Sequence, residues 1–193
     1  MTRQEILEAA AHIFGRKGFH ATSMQDIADA VNLQKASLYH HIDSKQEILL
    51  ALLDQALDLL IEDLEAIVES DSPPPAKLEA AIHNYVEKMA DHADLASVLL
   101  LEYRSLAVEN QRRHIDRRDR FEQLWRQILT EGMQSGDFRD LDPAVTGFAL
   151  LGVQNWMITW YQPNGRLDPG KLAAHFHDLF SEGLAVRSAG EHD

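Results

Sequence analysis

Cysteine is absent from this 193-residue chain. Disulfides, thiolate nucleophiles and cysteine-bound metals are excluded, and the absence fits a reducing compartment. Proline (6) and glycine (10) are scarce, which leaves room for long unbroken helices. No secretion signal is expected in residues 1–14, because Glu5 and Glu8 fall where its apolar core would stand. Residues 144–161 lack charge, but Thr146, Gly147, Gly152, Gln154, Asn155 and Thr159 interrupt them, and the stretch is short for a bilayer. It reads as a helix buried by protein, so a cytoplasmic protein with no membrane partner is expected.

What the chain has in quantity is apolar side chains, 45% of all residues, enough for a sizeable core. It also has acid: the formal net charge is -13. The excess is uneven. Residues 1–45 hold five basic and five acidic side chains, and the remainder hold 13 and 26. Salt screens charge beyond roughly 8–10 Å. An acidic body therefore does not prevent a neutral N-terminal segment from binding phosphate.

Periodicity predicts an all-α chain. Ile6, Ala10, Ile13 and Phe14 recur at helical spacing over residues 3–17, with Gly18 placed to end that helix. Thr22 reads as the cap of a short second helix, with Gln25 three residues on. Val31-Asn32-Leu33 is a tight turn, since asparagine tolerates the left-handed conformation. A third short helix, residues 34–41, has Leu38 and Ala36 as its apolar anchors. Ser44 and Glu47 open a long helix with the stripe Leu49, Leu53, Ala56, Leu60, Leu64 and Ile67. The run Ser72-Pro73-Pro74-Pro75 breaks it and reads as a semi-rigid joint. Further helices are expected over 76–93, 95–107, 109–135, 143–162 and 169–186. Asp142-Pro143 and Asp168-Pro169 are cap-and-proline starts, Pro163-Asn164-Gly165 is a turn, and the polar tail 187–193 is expected to fray.

A capped short helix, a three-residue turn and a second short helix are the parts of a helix-turn-helix. In that motif the second helix enters the major groove of double-stranded DNA. Gln34, Lys35 and Ser37 suit base edges or phosphate, and Tyr39 and His40 suit phosphate. Thr22 and Ser23 at a helix start offer a second phosphate site, and Lys45 a third. Spacing alone also allows a plain helical hairpin with a polar surface.

The pattern is more specific than its spacing. Ile13-Phe14, Gly18-Phe19, Thr22 to Ala28, Val31, Ser37 to His41 and Ser44 to Leu49 together resemble the N-terminal domain of the TetR family. Two positions depart from it: Asn32 stands where glycine is common, and Ile42 where phenylalanine is common. Each keeps the physical role. The resemblance implies DNA contacts at Thr22, Gln34, Lys35, Ser37, Tyr39, His40 and Lys45. It also implies a helix-turn-helix domain over 1–45, a helical ligand-binding and dimerisation domain over 46–193, and a homodimer joined through the last two helices. The small residues Gly147, Ala149 and Gly152 would permit close helix approach there. The function implied is a repressor of a palindromic operator, released when a small effector binds.

Candidate effector contacts are Tyr103, Arg104, Phe121, Trp125, Trp156 and Trp160, with Asn155 a polar residue inside an apolar helix. Tyr161 belongs to the same aromatic set. Each aromatic has core packing as its alternative. Arg113, Arg117 and Arg120 share one helical face among Asp116 and Asp119. They read either as a salt-bridged surface or as an anion site. Leu101 to Arg104, the 109–125 stretch, Gly132 with Gly136-Asp137-Phe138, and Leu151-Gly152 with Asn155-Trp156 and Trp160 to Pro163 resemble a TetR branch that senses acyl-CoA compounds of lipid or sterol breakdown. That implies an acyl-CoA effector, with a non-CoA aromatic or hydrophobic compound as the alternative. An enzyme lacks support: there is no glycine-rich phosphate loop and no catalytic Ser/His/Asp arrangement. His40-His41, His175 and His177, and the scattered His83, His92 and His114 do not suit one metal. No cofactor or metal is expected. A ligand-free helical scaffold would explain the helices but not the N-terminal pattern.

Overall fold

The computed structural model describes residues 1–163 and 165–185. Asn164 in the expected turn and the expected frayed tail lie outside them. The all-α expectation holds. Nine α-helices are described: α1 (Arg3–Lys17), α2 (Met24–Ala30), α3 (Lys35–Leu38), α4 (Lys45–Glu69), α5 (Pro74–Asp91), α6 (Ala93–Ser97), α7 (Val108–Ser135), α8 (Pro143–Asn155) and α9 (Pro169–Leu184). Among the described residues the only β pairing is an isolated bridge between Phe138 and Ala185. No helix there is long and apolar enough to cross a membrane. Compactness divides the chain into Met1–Leu59 with His92–Arg118, and Leu60–Asp91 with the chain from Asp119 onward.

In the first unit, Ile6, Ala10 and Phe14 of α1 are buried with Ile27, Leu38, Ile42, Ile48, Leu49 and Leu52. Gly18 ends α1 at φ +84°, with its N–H on the Phe14 carbonyl at 2.9 Å. Asn32 makes the turn at φ +53°. The cap of α2 is Ser23 rather than Thr22: Ser23 Oγ accepts the Asp26 N–H at 3.1 Å, and Asp26 accepts the Ser23 N–H at 2.7 Å. Thr22 is buried instead, and its hydroxyl donates to the Gly18 carbonyl at 2.8 Å. Only one half of the Ser44–Glu47 box forms. The Glu47 N–H reaches Ser44 Oγ, while the Glu47 carboxylate accepts from Asp43 N–H. α6 packs on α1, where His12 Nδ1 pairs with Asp94 at 3.0 Å. The helix expected over 95–107 is replaced by α6, a π-helical turn (Val98–Glu102) and a 3-10 turn (Tyr103–Ser105).

In the second unit, α5 lies along α9. The proline run is not a joint, because Pro74 and Pro75 form the first turn of α5, where their missing N–H groups cost nothing. Val68, not Ile67, completes the buried stripe of α4. The buried Lys77 ammonium donates to the Val68 carbonyl at 2.7 Å and to Glu131 at 3.0 Å. α8 stops at Asn155 and continues as a 3-10 turn, Trp156–Thr159, shorter than the helix expected to 162. α9 ends at Leu184.

Candidate DNA-binding and effector sites

α3 buries Leu38 and leaves its other positions outward. Gln34, Lys35 and His40 are exposed, Tyr39 is 43% exposed and Ser37 is half-buried. None of these five side chains is engaged in an ion pair or side-chain hydrogen bond among the described residues. Helical turning runs past Leu38, with Ile42 N–H on the Leu38 carbonyl at 3.1 Å, so Tyr39 and His40 follow the same path. The polar face expected of a recognition helix is therefore present and unoccupied by the protein itself.

The other three expected DNA contacts sit differently. Thr22 has its hydroxyl turned to a backbone carbonyl. Ser23 Oγ donates to Asp26 at 2.7 Å, and Lys17 Nζ meets the same carboxylate at 2.9 Å. The Ser23 hydroxyl, and then Lys17, hold the Asp26 carboxyl far below the usual carboxylate range. The start of α2 thus carries a carboxylate of its own, paired with Lys17. Lys45 Nζ donates to the Phe19 carbonyl at 2.7 Å and the Thr22 carbonyl at 2.6 Å, and lies 4.3 Å from the Phe19 ring centroid. Two of its three donors serve the chain, so it positions the α1–α2 turn.

The expected effector residues fall into both units. In the first, Arg104 Nε donates to Tyr103 Oη at 3.0 Å, which lowers the phenol pKa, and Arg118 stands 4.9 Å from the Tyr103 ring centroid. Arg117 is not an open anion contact. It pairs with Asp54 at 2.8 Å and also with Asp58. Arg113 takes Asp54 at 2.8 Å, and Arg120 takes Glu65 at 2.7 Å. The basic face of α7 is the salt-bridged alternative.

In the second unit, Phe121 and Trp125 are buried around Tyr85. The Tyr85–Phe121 rings stack at 5.9 Å, and the Tyr85–Trp125 rings meet edge-on at 6.2 Å. The Tyr85 phenol donates to Asn155 Oδ1, which supplies the partner that a polar residue in an apolar helix needs. Sequence reasoning missed Tyr85, although its hydroxyl stands on the buried stripe Leu78, Ala81, Ile82, Tyr85, Met89 of α5. Trp125 Nε1 and Gln154 Oε1 are buried without a hydrogen-bond partner among the described residues. Trp156 and Trp160 are 66% and 41% exposed, so neither is core. Among the described residues no group of His, Asp and Glu could hold a metal.

Comparison with known proteins places these elements. Residues 6–52 match the model for bacterial regulatory proteins of the tetR family, and residues 71–184 match the tetracyclin repressor-like C-terminal domain. The HTH-type transcriptional repressor KstR2 of Mycobacterium tuberculosis is 33% identical over 185 residues, covering 94% of this chain and 92% of the relative. The crystal structure of the TetR family regulator PfmR from Thermus thermophilus superposes with a TM-score of 0.87 at 38% identity, covering 94% of this chain and 99% of that one. AibR, solved with isovaleryl coenzyme A and operator DNA, gives a TM-score of 0.83 at 28% identity, covering 95% and 97%. The two family matches between them span both the helix-turn-helix and the helical remainder, and the chain belongs to the TetR family of bacterial transcriptional regulators.

Proposed function

We propose that this protein is a repressor that binds a palindromic operator as a homodimer and is released by a small hydrophobic effector, with residues 1–45 as the DNA-binding domain and 46–193 as the effector and dimerisation domain. The observation that carries the DNA half is the outward face of α3, with Gln34, Lys35, Ser37, Tyr39 and His40 free of side-chain partners among the described residues. One short recognition helix binds weakly, and two on a two-fold axis match a palindrome.

A dimer through α8 and α9 is supported by an apolar stripe at i, i+3, i+4, i+7 and i+11. Val145, Phe148, Ala149, Gly152 and Trp156 are exposed, Phe148 by 54%. A Cβ at Gly152 would meet nothing within 4 Å, which leaves room for a partner helix. Trp156 then serves the dimer face rather than the effector.

The effector contacts we propose are Tyr103 and Arg104 of the first unit, while Phe121, Trp125 and Asn155 close on Tyr85. An acyl-CoA effector is supported by the likeness to AibR, whose structure contains isovaleryl coenzyme A. A second reading, a non-CoA hydrophobic compound, is favoured by the pairing of Arg113, Arg117 and Arg120 with acids, which removes the densest basic patch as a phosphate site.

The test is operator selection from random DNA with the purified protein, then titration of the complex with acyl-CoAs and the matching free acids. A palindromic site released by the thioester alone supports the first reading, and equal release by the acid supports the second. Absence of any selected site refutes the repressor. Lys35→Ala is expected to change sequence preference, and Tyr39→Ala to weaken binding across sequences. If Lys35→Ala leaves both preference and affinity unchanged, the register of α3 on DNA is wrong.

A further inference from the structure

His114 of α7 is used by neither the DNA-binding face nor the dimer stripe. It is 2% exposed, and neither ring nitrogen has a hydrogen-bond partner among the described residues. A neutral imidazole carries one N–H donor and one acceptor nitrogen, and buried polar groups are as a rule hydrogen-bonded. An orphaned pair on one buried ring therefore calls for a function. Burial pushes the pKa of His114 below its ordinary value; the charges of Arg118 and Arg117 push the same way, and Asp54 opposes them. Burial there disfavours the charged form of the ring.

Against His114 lies the irregular connector between α6 and α7. Tyr103 stacks on the imidazole with ring centroids 6.1 Å apart and planes at 27°. It follows directly on the π-helical turn Val98–Glu102, a feature frequent at functional sites. The same connector is fastened to the start of α4 and to the α1–α2 turn. Gln46 Nε2 donates to the Ser105 carbonyl at 2.8 Å, and Ala107 N–H donates to Gln46 Oε1 at 2.8 Å. The Ser105 hydroxyl pairs with His20 Nε2 at 3.0 Å. Gln46 lies in the first turn of α4, next to Lys45 and its grip on the α1–α2 turn.

We propose that His114 anchors the effector, its ring N–H donating to the thioester carbonyl of an acyl-CoA, and that the connector over it passes the event to the DNA-binding helices through Gln46. This rests on the effector-released repressor reading and adds the group recognised and the route taken. A carbonyl suits the site because it accepts a hydrogen bond without bringing charge into a place where burial disfavours charge. It is also the polar group that an acyl chain carries at its head.

The experiment compares isovaleryl-, octanoyl- and palmitoyl-CoA with their thioether counterparts, in which a methylene replaces the carbonyl. Release of the selected operator is followed by fluorescence anisotropy, and binding by calorimetry. The wild-type protein is expected to prefer the thioester by about tenfold, the worth of one hydrogen bond. His114→Phe should bind both equally, without a lower melting temperature, because an apolar ring replaces an unpaired polar one. His114→Gln keeps a donor and should keep the preference. Gln46→Leu should bind the thioester as the wild type does, yet require more of it for release. Equal use of both compounds by the wild type, or a preference that survives His114→Phe, overturns the proposal and leaves the repressor reading standing. If none of the compounds releases the wild type, the acyl-CoA reading falls and the proposal with it.

Discussion

Replacing Lys45 by methionine separates two roles that the sequence left merged. The structure gives the ammonium two backbone carbonyls and one aromatic face. Hydrogen bonds to a charged group contribute about 1.5–3 kcal/mol each at best, and a partly exposed cation–π contact about 0.5–1 kcal/mol. Lys45 is half-buried, and water can replace part of what is lost, so about 2–3 kcal/mol is the expected net cost. For a chain of this size that is a fall in melting temperature of about 4–12 °C. A phosphate contact predicts something else. Each one adds about 0.9 to the slope of log K against log salt, so a dimer losing two would lose about 1.8. Operator affinity of Lys45→Met is therefore measured across salt concentrations beside its thermal denaturation. The expected result is a lower melting temperature with an unchanged salt slope. An unchanged melting temperature with a slope reduced by about 1.8 would refute the positioning role and restore Lys45 as a DNA contact.

Gly132→Ala would place a Cβ 2.1 Å from Phe138 Cδ2, and Phe138 is buried. Overpacking of about 1–3 kcal/mol or more outweighs the gain of up to about 1 kcal/mol in helix propensity. Urea denaturation should show a less stable protein, and a more stable one would contradict the contact. Phe148→Asp puts a charge in the middle of the exposed α8 stripe. Sedimentation should then find a monomer with operator binding lost, and an intact dimer would exclude that face. His114 also sets a pH dependence. Its folded pKa lies below 6.5, so the unfolded chain takes up the proton first as pH falls. The stability held by the neutral ring is intact above about pH 6.5 and is lost as pH falls through the folded pKa. Denaturation midpoints between pH 8 and pH 5 should fall less steeply in His114→Phe than in the wild type. Parallel profiles would count against a buried neutral ring.

Local features carried the sequence reading wherever local chemistry decides. Gly18 and Asn32 occupy positive φ as their residue types require, and Asp142 and Asp168 cap the helices they were expected to open. The reading slipped where two residues compete for one role. Thr22 and Ser23 can both cap α2. Both have a partner three residues on, Gln25 or Asp26; Ser23 takes the cap with Asp26, and the buried Thr22 bonds back to Gly18. The same holds for the arginines of α7. Their shared face was visible at i, i+4 and i+7, but the carboxylates that meet them, Asp54, Asp58 and Glu65, are more than fifty residues away along the chain.

The sequence by itself determined the all-helical class, the helix-turn-helix and the family, because those rest on 3.6-residue periodicity, caps and a motif of fixed spacing. Only the tertiary structure decided which polar groups have partners. Tyr85 finds Asn155, Lys45 finds two carbonyls, and His114 finds none among the described residues. A hydrogen bond depends on where two distant segments of chain meet to within a fraction of an ångström. Hydrophobic patterning selects which face of a helix turns inward, not which atom waits there.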